Sequence, residues 1–181
     1  SYGNHLNYIS KDKATVKESY VDLSNALNLG MTFGWNDYYI ENSIPEKFPR
    51  TIEATVYYPD NYPDTNRGGI IYGNYNGILP CFDFEITTNG NPRLYIRNEA
   101  GKTYDLRFGN ANVYNGKATN VTFVIEDDYV KLYIDGVLTQ TTAETTAPGI
   151  GAFVDSIKMT REMLIGADWR ERNEQYFKGQ L

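Results

Sequence analysis

The sequence predicts an all-β protein, a two-sheet antiparallel sandwich. Three observations carry that expectation. Aromatic and β-branched residues are abundant, with 16 tyrosines in 181 residues, and suit a pleated, half-buried surface. Apolar and polar residues alternate at period two through most of the chain. Asn-Gly, Asp-Gly and related pairs, which accept the positive φ of tight hairpin turns, separate the alternating runs.

Residues 1–25 read as a lead-in or linker. Val16, Tyr20, Leu23 and Leu27 recur at helical spacing behind a capping Ser10 or Asp12, so a short N-terminal helix fits, and an extended lead-in fits nearly as well. From residue 26 to 181 the chain reads as one domain. Thr51–Tyr57 alternates with Ile52, Ala54 and Val56 inward, and Cys81–Ile86 repeats the pattern with Phe82, Phe84 and Ile86. Arg93–Arg97, Tyr104–Phe108, Val121–Ile125 and Val130–Ile134 follow. Turn pairs lie between them at Asn89-Gly90, Ala100-Gly101, Asn115-Gly116, Asp127-Asp128 and Asp135-Gly136, recurring every 8 to 15 residues. Residues 59–69 and Thr139–Pro148 read as longer loops, and Met159–Leu164 as one helical turn.

Composition excludes several functions. With 23 acidic and 17 basic residues the net charge is −6, and there is no Lys/Arg run to bind phosphates, so no nucleic acid is expected as partner. No stretch approaches the ~18 apolar residues of a membrane span. One histidine (His5) and one cysteine (Cys81) rule out disulfides, Cys/His zinc sites and His-based triads within one copy of the chain. A binding module, a carboxylate-only hydrolase or a structural domain remain.

Three segments resemble a known family. Val130–Leu138, read as VKLYIDGVL, is similar to a strand-turn hairpin of the laminin-G-like, concanavalin A-like jelly rolls of bacterial lectins and carbohydrate-active proteins. Leu164–Asp168 is similar to the start of a later strand, and Tyr176–Leu181 to the family's closing segment. Thr51–Tyr57 and Gly68–Tyr72 sit where the family places its first inner strands. Two departures stand out. Ala118-Thr119 replaces a common Trp-His pair, and the family's closing segment continues into a further strand where this sequence stops at Leu181, a role the N-terminal stretch is available to fill. The resemblance implies a jelly roll and a carbohydrate-binding role, in a secreted or cell-surface bacterial protein whose leader is not part of this sequence. It also implies calcium as an optional structural clamp to which Asn36, Asp37 and Asp168 are able to contribute oxygens, with no ligand set assigned and no cofactor required.

Alternation gives the candidate site. If the apolar sides of the strands face the core, the opposite sides collect Glu53, Tyr57, Cys81, Asp83, Glu85, Arg93, Tyr95, Arg97, Asp105, Arg107 and Tyr133. Sugars stack C–H faces on aromatic rings and hydrogen-bond to carboxylates and guanidiniums. The residues expected to hold an oligo- or polysaccharide are Asp83, Glu85, Arg93, Tyr95 and Arg97 on the sheet, with Tyr75 and Trp169 on rim loops. Ordinary solvated strand faces with ion pairs such as Asp83 with Arg93 are the plain alternative. Asp83 and Glu85, about 6 to 7 Å apart at their backbones, also invite comparison with paired glycosidase carboxylates. Retaining glucanases of the resembled fold use Glu-x-Asp-x-Glu, and here the first position is Cys81, so no catalytic residue is expected. An alginate-lyase reading fails because Arg-x-Glu-x-Arg and Gln-x-His are missing. The remaining alternative is a structural or protein-interaction module packing on a neighbouring catalytic domain.

Overall fold

The structure is a computed structural model that describes residues 5–8, 15–16, 21–22, 31–34, 50–58, 68–73, 80–157, 164–165 and 177. In chain order the strands are β1 (His5–Tyr8), β2 (Thr15–Val16), β3 (Val21–Asp22), β4 (Met31–Gly34) and β5 (Thr51–Val56). Then come β6 (Gly69–Gly73), β7 (Cys81–Ile86), β8 (Pro92–Arg97) and β9 (Thr103–Arg107). β10 (Thr119–Ile125), β11 (Val130–Ile134) and β12 (Val137–Thr141) precede the helix α1 (Ile150–Asp155), and β13 (Leu164–Ile165) follows it.

These strands form a seven-stranded sheet in the order β1-β4-β13-β6-β7-β8-β9 and a four-stranded sheet in the order β12-β11-β10-β5. β2 and β3 make a separate hairpin. The architecture is the expected antiparallel sandwich, and the strands read from alternation lie within a residue or two of their expected places. The turns follow their chemistry. Asp135 and Gly136 take φ of 50° and 77°, the paired positive values of a type I′ turn joining β11 to β12.

The core lies between the two sheets. β5 contributes Ile52 and Val56, β10 contributes Val121, Phe123 and Ile125, and β11 contributes Val130 and Leu132. From the other sheet come Phe82, Phe84 and Ile86, then Leu94 and Ile96, then Tyr104 and Leu106. Phe123 crosses the gap, its ring centroid 5.0 Å from those of both Phe84 and Phe108. From the resembled closing segment, Phe177 is fully buried and its ring centroid lies 5.2 Å from that of Tyr58.

α1 closes one part of this core with Ile150, Phe153 and Val154. An arginine holds it in place. Arg50 Nε and Nη2 donate to both oxygens of Asp155, at 3.1 and 2.7 Å, and Nη1 donates to Asp127 at 2.8 Å. The backbone N–H of Gly151 donates to the carbonyl of Asp127, so the β10–β11 turn, the start of β5 and α1 are tied at one point.

Three expectations need revision. The N-terminal helix is not formed over its expected span, because Thr15–Val16 pairs with Val21–Asp22 as a hairpin; β-branched residues at three of these four positions favour the strand over the helical spacing. β1, from the same stretch, pairs with β4 at the edge of the seven-stranded sheet. The loop expected from Thr139 begins later, since β12 runs to Thr141. The described helix is α1, which the sequence reading missed, whereas of the turn expected at Met159–Leu164 residues 159–163 lie outside the described residues and Leu164 opens a strand.

Phe123 supplies a direct test of the packing. Phe123→Ala is expected to cost about 3 to 5 kcal/mol of unfolding free energy, the range for removing a buried phenylalanine. Urea denaturation followed by tyrosine fluorescence measures it, and a loss below about 1 kcal/mol would mean the sheets do not interlock there.

Candidate functional site

β7, β8 and β9 are consecutive and locally connected, so their outward side chains fall into one array. In register, Glu85 faces Arg93 and Asp83 faces Tyr95, while Arg93 faces Arg107, Tyr95 faces Asp105 and Arg97 faces Thr103. The inward residues of β8 are buried and its outward ones, Arg93, Tyr95 and Arg97, are half-buried.

Arg93 organises this array. Its Nη1 donates to Glu85 Oε1 at 2.6 Å. Its Nε and Nη2 donate to the two oxygens of Asp105 at 2.6 and 2.9 Å, a bidentate fork. The guanidinium carbon also lies 5.3 Å from the centre of the Tyr95 ring, within cation–π range. Arg107 adds a longer contact to Asp105 at 3.4 Å. Burial works against the Arg93 charge, but the hydrogen bonds with Asp105 and Glu85 more than offset it, and its pKa is raised above the ordinary guanidinium value. The hydrogen bond from Arg93, opposed by partial desolvation and assisted by Arg107, holds the Asp105 carboxyl below its usual range.

The face is graded from closed to open. At the β6–β7 side Ile70, Cys81 and Asp83 are buried, although Cys81 and Asp83 point away from the inter-sheet core. Gly73 faces Asp83 in register, and a Cβ there would collide with Asp83 Oδ1 and come within 3.0 Å of Ile70. The glycine makes room for that carboxylate. Across β8 the side chains are half-buried, and at β9 Asp105 and Arg107 are exposed. Arg97 turns back along its own hairpin, with Nε 3.4 Å from the carbonyl of Gly101.

Five of the seven sugar-binding residues expected from the sequence, Asp83, Glu85, Arg93, Tyr95 and Arg97, therefore share one sheet face, with Asp83 at its buried side. Tyr75, Trp169 and the calcium-donor candidates Asn36, Asp37 and Asp168 lie outside the described residues. Among the described residues no cluster of three or more His, Cys, Asp or Glu side chains is arranged to hold a metal. Two outward residues of the sequence reading, Glu53 and Tyr133, belong to the other sheet and its separate outer surface. The ion pair expected between Asp83 and Arg93 forms with Glu85 instead. Asp105 is the residue missing from the expected set. Its i, i+2 relation to Arg107 put it on a common face with that arginine, but only the pairing of β8 with β9 sets it against Arg93.

The family model described as the Concanavalin A-like lectin/glucanases superfamily matches residues 41–181. The chain belongs to that superfamily. No curated protein matches the sequence significantly. Solved structures of similar fold include domain 4 of AbnA, a GH43 extracellular arabinanase from Geobacillus stearothermophilus, in complex with arabinotriose. It has 14% identity and a TM-score of 0.56, over 98% of this chain and 73% of that one. The CBM40 of Ruminococcus gnavus IT-sialidase, bound to α2,3-sialyllactose, has 17% identity and a TM-score of 0.53, over 84% and 82%. Domains LG4-5 of the mouse laminin alpha1 chain have 10% identity and a TM-score of 0.51, over 72% of this chain, which spans 33% of the laminin chain. At such identities the likeness is one of fold.

The Arg93 fork makes stability depend on pH with a definite sign. Asp105 releases its proton more readily in the folded chain than in the unfolded one. Its contribution is therefore complete above the unfolded value of about 3.9 and is lost as pH falls through the lower folded value. Urea midpoints between about pH 5 and pH 2 are expected to fall less steeply in Asp105→Asn than in the unaltered protein. Identical slopes would show that the fork carries no differential protonation.

Proposed function

We propose that the chain is a non-catalytic carbohydrate-binding module of a larger secreted bacterial protein, and that it holds an oligo- or polysaccharide on the outer face of β7, β8 and β9. One observation carries this reading. A half-buried tyrosine ring lies among carboxylates that one arginine holds in fixed positions. A sugar needs a ring to stack on and preset acceptors for its hydroxyls, and groups fixed in advance lose little freedom when it binds. Tyr95 is the stacking platform, with Glu85 and Asp105 as acceptors and Arg97 and Arg107 at the margins. Asp83 belongs to the same set at the buried side of the face, and Tyr75 and Trp169 serve as rim contacts. Membership of the superfamily supports the reading, and so do similarly folded modules whose structures contain arabinotriose and sialyllactose.

A hydrolytic role is disfavoured by the chemistry of β7. Cys81 stands where the glucanases of this fold carry a nucleophilic carboxylate, and it is buried, as is Asp83 at 2% exposure. Glu85 is occupied by Arg93. Calcium would act only as an optional structural clamp, away from the contacts above.

A second reading is favoured by one feature. Val137 and Leu138 are 68% and 50% exposed beside the β11–β12 turn, which suits a module that packs on a neighbouring domain of its parent protein.

A glycan array and polysaccharide pull-down, run with calcium and with chelator, separate the readings. Binding to a defined glycan class is expected, weakened about tenfold or more by Tyr95→Ala or Trp169→Ala and left unchanged by Leu138→Ser. No release of reducing sugar is expected. Silence across the array from a folded, monomeric sample would overturn the sugar-binding reading, and turnover abolished by Glu85→Gln would overturn the non-catalytic one.

A further inference from the structure

We infer that the face of β7, β8 and β9 selects uncharged glycans and rejects uronate- and sialate-containing ones. This rests on the sugar-binding reading and names the class of sugar that the same face takes.

An acidic sugar is usually gripped by a guanidinium with its fork free for the carboxylate. The arginine at the centre of this face has its side-on fork, Nε and Nη2, already taken by a carboxylate. Each of the three nitrogens of Arg93 already donates to a carboxylate oxygen, one to Glu85 and two to Asp105. A ligand carboxylate brought to the remaining N–H groups of Arg93 would meet two like charges, Glu85 and Asp105, at close range. Such like-charge contacts in a partly dehydrated site are strongly unfavourable.

The other cations of the face do not reverse this. Arg97 opposes Thr103 in register, and Arg107 lies four residues further along β9, so the two are roughly 13 Å apart along the strands. Arg97 leans on the Gly101 carbonyl, and Arg107, with a side chain 65% exposed, sits at the solvent margin beside Asp105. Between their register positions lie Tyr95 and Asp105, and Glu85 is level with Arg107 on the far side of Arg93, so the acceptors suited to hydroxyl donors flank the ring. The net charge of −6 adds a long-range repulsion toward polyanions. Arg93 is accordingly a positioning residue, which sets the acceptors and the ring and leaves the contacts to them.

The test measures binding by isothermal titration to paired polymers, polygalacturonate and the same polymer after carboxyl reduction. Arabinan, xylan and glucomannan extend the neutral set, and alginate and 3′-sialyllactose extend the acidic one. At least one neutral glycan is expected to bind, with acidic ligands at least about tenfold weaker at low salt. The gap should narrow in about 0.5 M NaCl, where the repulsion is screened, and also in Glu85→Gln. Acidic ligands that bind as well as neutral ones, and lose binding in Tyr95→Ala, would overturn the inference while leaving the sugar-binding reading intact. Failure of both sets to bind a folded sample would overturn both.

Discussion

Phe123 packs between Phe84 and Phe108, and this cross-sheet contact decides what each neighbouring strand shows to solvent. Side chains alternate strictly along a strand, so seating Phe84 in the core leaves Asp83 and Glu85 no choice but the other face. Pairing in register then passes the decision to β8, where Leu94 and Ile96 go in and Arg93, Tyr95 and Arg97 go out, and from there to β9. A one-residue slip of β7 would drive two carboxylates into an apolar interior, where burial without partners is prohibitive. The candidate site is thus a by-product of core packing, and needs no loop to assemble its central members.

Within that frame the charges are arranged economically. A lone arginine on an exposed strand contributes little, since solvent screens it and its side chain loses freedom when held. Arg93 differs because it is half-buried, forks onto Asp105 and bridges three adjacent strands. A lysine would keep the charge and lose the fork. The same geometry makes the face stiff, and stiffness suits recognition of a ligand whose own hydroxyls are fixed on a ring.

Much of this was legible in advance. Alternation with Asn-Gly and Asp-Gly punctuation located β5, β7, β8, β9, β10 and β11, because each is long enough for period two to stand out and has one buried face. α1 escaped because it spans six residues, too few for a helical period to register. Its N-cap, Gly149, is left-handed at φ 69° with no capping side chain, and its first turn has no acidic residue to mark a start. The opposite error at the N-terminus has a related cause, since spacings of four and three fit a helix by chance in a segment whose pairing partners settle the matter. For the site, membership of the face followed from alternation alone. The preference of Arg93 for Glu85 and Asp105 over Asp83 did not, because it depends on which strands are neighbours. The dependence of Asp83 on Gly73 was hidden for the same reason: a residue without a side chain leaves no pattern to read.

The Arg50 clamp has a consequence for the order in which the chain can be built. Its partner Asp155 lies 105 residues later, and β5 itself pairs with β10, whose last residue is Ile125. β7, β8 and β9 are joined by short turns and can meet as soon as they leave the ribosome, while β5, synthesised before them, must wait without its sheet neighbour. During that interval Ile52 and Val56 have no core to enter. Nascent chains stalled between β9 and β10 would therefore present a finished hairpin array alongside an orphaned strand, the form in which a chaperone or a second nascent chain would meet it.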